Sequence, residues 1–502
     1  MTHSALLLGY WALGGDVMTK AEQTRLTAWR LRVLRQAAER SGRRGLHKRN
    51  LPSAAEPSNV IRQWTTPNVR FAQGVRGQSA PAWIEGKMVN RISIFVALPA
   101  FVLACFCSNA WTQDAPPSFE LQNGFLPQKQ FDAAKQAFEE VQTTTTGLGI
   151  HFNETSCAHC HLAPPGGRRL PGGSGPITEL RAGYLARNNE FVPAPGGTLI
   201  TTKAVGGVTP EVNVLSSSQN VRDRFITTSL FGAGFVECVA DDALRRVARD
   251  QAKRSDGRIQ GIVREVPILE APGRTAVGRF GWAAQHASLL SFSADAYRNE
   301  MGVTSPLQPD DNTLLGDPVD DGVPDPEDTG GKFGHDVELF ASFMRALSAP
   351  PRRLPSAQKD RKEIEEGSKL FKSTGCTACH LPELVTAKEG EWVNAKTFRV
   401  PKALGNKKFH PYGDFLLHDI GTGPSVLREG TPLQARGKIR TAPLWGLGTR
   451  LANGEPLLHD GSAPTVEDAI QRHKNTAATE AEKFRHLNTR DRARMLKFLQ
   501  SL

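Results

Sequence analysis

Two five-residue stretches decide how this chain reads: Cys157-Ala158-His159-Cys160-His161 and Cys376-Thr377-Ala378-Cys379-His380. Both follow the pattern C-x-x-C-H. With only seven Cys and 13 His in 502 residues, two chance occurrences are negligible. The spacing has a chemical reason. Two thiols three positions apart reach the two vinyl groups of one haem and form thioethers. The His directly after the second Cys then lies beneath the iron and supplies the proximal nitrogen. The expected cofactors are therefore two covalently bound c-type haems, one on Cys157, Cys160 and His161, the other on Cys376, Cys379 and His380. A zinc site would need four Cys or His ligands at each place. A dithiol redox pair would sit at a strand end in a βαβ unit. Neither context surrounds these motifs.

The flanks of the motifs give the fold class. Before the second motif, Ile364, Gly367 and Phe371 fall on one helical face, with Gly367 small enough for a close helix crossing. At the end of the chain, Asn488-Thr489-Arg490-Asp491 reads as a helix start. Met495, Leu496, Leu499 and Leu502 then form an apolar stripe that would pack across the earlier helix. Before the first motif, Phe131, Ala134, Phe138 and Val141 make a similar stripe. Val337, Phe340, Met344 and Leu347 mark a further helix over 333–347, ended by Pro350-Pro351. Residues 224–234 faintly echo residues 440–448 at a similar distance after each motif, as two related domains would. The expectation is a mainly α chain with two cytochrome-c-like haem domains and long loops, an N-terminal one over 120–350 and a C-terminal one over 358–502.

The length of 502 residues agrees with more than one domain. Hydrophobic residues at 39% and charged residues at 23% exclude a disordered or fibrous chain. The net charge of +11 is unevenly spread. Residues 1–87 hold 14 Lys and Arg against 5 Asp and Glu, and the remainder holds 48 against 46. The body of the chain is thus nearly neutral, and nucleic-acid binding, which needs a basic face on a folded domain, is not expected. Residues 308–331 are rich in Asp and Glu and read as a surface loop; calcium is an alternative there, although the spacing matches no known calcium loop.

Export is the expected fate. Lys87-Met88-Val89-Asn90-Arg91 precedes an apolar run over 92–107, followed by Ser108-Asn109-Ala110, so 88–110 reads as a secretory signal. The run is short for a membrane span. Met88 is then the expected initiator, and 1–87 an upstream extension. Val102-Leu103-Ala104-Cys105 is weakly similar to a lipoprotein box, which would add membrane association through a lipid anchor. A periplasmic location agrees with c-type haem attachment outside the cytoplasm.

Four further motifs carry a family resemblance. They are Gly278-Arg279-Phe280-Gly281-Trp282, Asn299-Glu300-Met301-Gly302-Val303-Thr304, Arg440-Thr441-Ala442-Pro443-Leu444-Trp445-Gly446-Leu447-Gly448 and His459-Asp460-Gly461. Together with the two C-x-x-C-H sites they resemble the di-haem oxidoreductases, relatives of bacterial di-haem cytochrome c peroxidases and of MauG-type enzymes. The resemblance implies a peroxide-like small-molecule substrate and an electron-donor cytochrome or cupredoxin as partner. It implies that Glu300 is the distal carboxyl that moves a proton between peroxide oxygens. Met301 beside it is a competing iron ligand, and His286 and His335 are further options. The distal Gln expected near Phe292 is missing.

For the second haem, no Met lies between His380 and Met495, so a His/Met pair is not expected. His410, His418, His459, His473 and His486 remain. In the relatives the sixth ligand lies about one helix after the H-x-G motif, which points to His473. Trp282 and Trp445 are candidates for an electron relay between haems, with core packing as the alternative. Arg224 and Arg440 are candidates to pair with haem propionates. Cys238, in an apolar run, is expected to be buried rather than reactive. Two functions follow: a peroxidase acting at the first haem, or an electron carrier with both irons six-coordinate. A MauG-like oxidation of a partner protein is disfavoured, because His473 stands where that enzyme's Tyr ligand would be.

Overall fold

Helix α1 (Gln128–Glu139) is the first helix of the described residues and turns its Phe131, Ala134 and Phe138 inward. The computed structural model describes residues 120–161, 178–188, 190–311, 313–314, 317–318, 321–426 and 435–502, and these all fall in one compact unit. The expected extension over 1–87, the signal over 88–110 and the lipoprotein box lie outside them. Among the described residues no helix is long and apolar enough to cross a membrane.

The short helix α2 (Cys157–Cys160) carries the first motif. A four-stranded antiparallel sheet follows. Its central strand β1 (Thr178–Leu185) pairs with β2 (Phe191–Pro193), β3 (Leu199–Ile200) and β4 (Val221–Ile226). The register sets Leu180 opposite Arg224. Helices α3 (Ala233–Glu237), α4 (Asp241–Arg254), α5 (Leu289–Met301) and α6 (Asp336–Ala346) complete the first half. Phe138 of α1 meets Phe343 of α6 with ring centroids 4.9 Å apart. The expected stripe on α1 stops short. Glu140 is already extended, so Val141 falls beyond the helix and is 54% exposed.

In the second half, α7 (Gln358–Thr374) ends at Gly375, whose left-handed conformation (φ 98°) turns the chain directly into Cys376. Two short paired strands, β5 (Leu417–His418) and β6 (Ile439–Arg440), lead to α8 (Leu447–Ala452), α9 (Val466–Gln471), α10 (Ala478–Arg485) and α11 (Thr489–Gln500). The Asn488 side chain accepts a hydrogen bond from the Asp491 amide at 3.0 Å and caps α11. Helix α11 crosses α7 at Gly367, where a Cβ would overlap the Arg494 carbonyl oxygen. Phe371 and Phe498 pack at that crossing, with centroids 5.4 Å apart.

The fold is therefore mixed: helices supply both cores, and short strands occupy much of the connecting chain. The mainly α expectation holds for the cores and misses the sheet after the first motif. There the side chains of β1 alternate too weakly to announce a strand. One core is built by α1, α3, α5 and α6 and also takes in Leu384, Phe409, Phe415, Leu416 and Trp445 from the second half. A second core lies between α7 and α11 and includes Leu447, Leu457 and Phe484. The weak echo between 224–234 and 440–448 has a structural counterpart. In each, an Arg on a strand is followed by a left-handed Gly (Gly232, φ 71°; Gly446, φ 74°) that opens a helix.

Candidate haem sites

Each C-x-x-C-H motif faces its own cavity. The first, of about 310 Å³, is lined by Cys157, Cys160 and His161 together with Arg224, Trp282, Glu300 and Met301. The second, of about 200 Å³, is lined by Cys376, Cys379 and His380 together with Arg440, Trp445 and His473. These thirteen residues, the two motifs with Arg224, Trp282, Glu300, Met301, Arg440, Trp445 and His473, thus stand on one or other cavity wall, and Trp282 stands on both.

The two proximal imidazoles are held alike. His161 Nδ1 lies 3.1 Å from the Thr228 carbonyl oxygen, and His380 Nδ1 lies 3.0 Å from that of Tyr412. A backbone acceptor on Nδ1 fixes the tautomer and leaves Nε2 with its lone pair free for a metal. Burial drives both rings down to a pKa of about 4, with His473 adding to the effect at His380, so both are neutral and in the ligand form. Burial also raises the motif thiols, Cys376 to about 11.

His473 sits at the end of α9, where its Nδ1 is 2.7 Å from the Ala469 carbonyl oxygen. Its ring centroid is 6.5 Å from that of His380, with an interplanar angle of 47°. Two imidazoles that share one metal ion from opposite sides would stand roughly 6.2 Å apart, taking metal–nitrogen bonds of about 2.0 Å and ring nitrogens about 1.1 Å from the centroid. Of the other histidines of this half, His418 and His459 also line this cavity, and His410 and His486 do not. His410 and His486 are outward-facing, on Pro382 and Glu482 respectively. His418 is tied to Asp414. His459 packs edge-on to Trp282, with centroids 6.3 Å apart.

The first cavity differs. His161 is the one histidine on its wall among the described residues. His286 stacks on Phe292 at 4.8 Å and bonds Asp295, and His335 bonds Asp328. Neither lines the cavity. Glu300, near the end of α5, is pushed up to about 8 by burial and by the nearby Glu179, against the pull of Arg181. It therefore carries its proton at neutral pH. Met301 beside it is only 4% exposed and belongs to the first core. No Gln stands near Phe292, but Gln285 lines the same cavity from the turn before α5.

Haem can be tested against these walls without invoking it. Arg440 is 6% exposed, and among the described residues no carboxylate lies within ion-pair distance of it. Burial lowers its pKa to about 10. A buried guanidinium without an anion is costly, and a haem carboxylate would supply one. Trp445 Nε1, His459 Nδ1 and Thr422 Oγ1 are buried on the same cavity wall with no hydrogen-bond partner. Ser156 Oγ and Asn153 Nδ2 are in the same position at the first cavity. Orphaned polar atoms around an apolar cavity are the mark of a bound group with polar edges. Sequence reasoning missed His459 and Thr422 in this role; His459 was legible as part of a motif and as one of the five candidate ligands.

Haem is the group these residues fit, and the class so defined is that of haem-based oxidoreductases. Residues 211–502 match the family described as "Di-haem oxidoreductase, putative peroxidase", and the chain belongs to it. The matched stretch contains the second C-x-x-C-H motif; the first lies before it. No curated protein matches the chain. Among solved structures, the hydrazine synthase of Kuenenia stuttgartiensis, in xenon-pressurised crystals, aligns with 83% of this chain and 100% of its own at 12% identity and a TM-score of 0.33.

The acidic loop brings ligand atoms of Asp311, Asp321 and Glu327 within 4.8 Å of one another. Cys238 is fully buried.

Proposed function

We propose that this chain is an exported, periplasmic di-haem c-type cytochrome with a cytochrome-c-like haem domain around each motif. In this reading the first site reduces a peroxide-like substrate, and the second takes electrons from a small cytochrome or cupredoxin and passes them on. The observation that carries it is the asymmetry of the two cavities. The second has two neutral histidines facing each other, which suits a closed, electron-transferring site. The first has one histidine and a buried, protonated carboxyl at Glu300, which suits a reactive one.

Haem bound at the motifs supplies the redox-active iron, and peroxide reduction consumes two electrons and two protons. The residues of the chain do the rest. Glu300 holds a proton inside the cavity, gives it to the departing peroxide oxygen, which leaves as water, and takes one back from the other oxygen, so the carboxyl ends as it began. The apolar cavity wall, with Phe138, Phe292 and Phe340, limits water around that carboxyl. Trp282 lies on both walls, and its Nε1 donates to the Ile226 carbonyl oxygen at 2.7 Å, which fixes the indole between the sites. Arg224 and Arg440 are suited to neutralise haem carboxylates.

A second reading, a carrier with both sites closed, is favoured by Met301, whose thioether shares the first cavity with Glu300. Glu300→Gln separates the two. Under the peroxidase reading, peroxide turnover falls on the order of 10²–10⁴-fold while covalently attached haem is unchanged. Turnover equal to the parent's, or a parent whose two haems stay low-spin in every redox state, replaces the peroxidase with the carrier.

A further inference from the structure

We infer that Gln251, Asp414 and His418 form a buried chain that fixes a positively polarised N–H against the Cys379 sulfur and so raises the reduction potential of haem at the second site. The inference rests on haem attachment at the second motif and goes beyond it. It names residues that no motif contains.

The chain is built from both halves of the protein. Gln251, on α4, donates from one amide nitrogen to Asp414 Oδ2 at 2.6 Å and to the Ala378 carbonyl oxygen at 2.7 Å, and so clamps the motif itself. Its Oε1 accepts from the Gly261 amide at 3.0 Å. Asp414 Oδ1 accepts from the Leu416 amide at 3.0 Å, and Oδ2 lies 2.8 Å from His418 Nε2. The side chains of Asp414 and His418 are 0% and 2% exposed. The far nitrogen of the ring, Nδ1, lies 3.8 Å from Cys379 Sγ.

This polarity has a consequence. Asp414 takes the Nε2–H, so Nδ1 turns a hydrogen toward the sulfur when the ring carries its second proton. Burial alone would favour the neutral ring, but Asp414, with a smaller share from the Cys379 sulfur, outweighs it and holds the pKa up at about 10; the larger Asp414 share is kept when Cys379 is a thioether and favours the cation. The positive end of the pair faces the sulfur and the negative end faces away. A positive charge beside the haem periphery disfavours the extra positive charge of ferric iron, and the low-dielectric surroundings keep the effect unscreened. A facing pair of histidines by itself sets a low potential, because thioether ligation favours ferrous iron more. The Gln251–Asp414–His418 chain acts in the opposite sense. The three atoms Cys379 Sγ, Asp414 Oδ and His418 N also lie close enough to hold a small cation. Thioether formation at Cys379 commits the sulfur to haem instead.

The test is a spectroelectrochemical titration of the purified holoprotein, following the α-band of each haem, on the parent, His418→Gln and Asp414→Asn. Gln at 418 keeps a hydrogen-bond donor and removes the charge; Asn at 414 keeps the Leu416 bond and releases the charge. Both variants are expected to lower the midpoint of one haem, leave the other in place, and keep the oxidised spectrum. The expected shift is a tenfold change in that haem's oxidised-to-reduced ratio at fixed potential, about 59 mV for one electron. An unmoved midpoint, an equal shift of both haems, or one additional bound metal ion per chain overturns the inference. So does a variant that fails to retain the second haem, since tuning is not needed for attachment. A parent without the second haem ends both readings together, whereas an unshifted potential ends this one alone.

Discussion

Substituting Glu237 by Gln tests how the two halves hold the first cavity in shape. The Glu237 side chain is completely buried and accepts four hydrogen bonds. Arg345 donates to it from Nε at 2.6 Å and from Nη2 at 3.0 Å, the Leu289 amide at 2.9 Å, and Asn394 Nδ2 at 3.0 Å. Those donors come from α6, from the start of α5 and from the second half of the chain. Helix α5 carries Glu300 and Met301, so the carboxylate anchors the helix that lines the reactive wall. Burial would lower the Arg345 pKa, but Glu237 reverses this and the net shift is upward. The guanidinium also lies 4.1 Å from the Phe398 ring centroid.

A Gln at 237 has one acceptor oxygen for four donors, and its amide hydrogens point at groups that also donate. Removing one partner of a buried ion pair costs about 3–5 kcal/mol, because the other charge is left without compensation. That is a large fraction of the roughly 5–15 kcal/mol that holds a domain together. The expected result is a urea midpoint lowered by the equivalent of about 3–5 kcal/mol, read by far-ultraviolet circular dichroism. Glu237→Gln combined with Arg345→Met should recover at least half of the loss, since the unpaired cation is gone. A loss below about 1 kcal/mol, or a double variant no better than the single one, would refute the assignment of this pair as the anchor.

Gly367→Ala places a methyl group on the Arg494 carbonyl and Phe498, and should cost about 1–3 kcal/mol by overpacking the α7–α11 crossing, visible as a lowered Tm. His473→Met should change the low-spin spectrum and raise the potential of one haem; a spectrum and potential equal to the parent's would remove His473 from the iron. Glu455 is raised to about 7 by burial, against the pull of Arg450. Its proton is bound more tightly in the folded state, so stability should fall as pH rises from 4.5 to about 7. Glu455→Gln should flatten that slope in a Tm-against-pH series.

Short-range chemistry is what the amino-acid order makes legible. C-x-x-C-H needs no tertiary information, because both thiols and the imidazole belong to five consecutive residues. The crossing of α7 by α11 was legible for a similar reason. An i, i+3, i+7 stripe with Gly at its centre has few other uses. The position of His473 was reachable by counting from a motif. Packing, and not the order of residues, places Val141 beyond its helix, engages His286 and His335 away from the first cavity, and sets Trp282 on both walls. Only it brought Gln251, Asp414 and His418 to Cys379, and Arg345 and Asn394 to Glu237. These contacts join residues from tens to more than 150 positions apart. Their energies come from desolvation and charge at particular places in the packed molecule. A side chain's distant partners leave no periodic trace in the sequence, so burial and pairing become visible only once the chain has closed on itself.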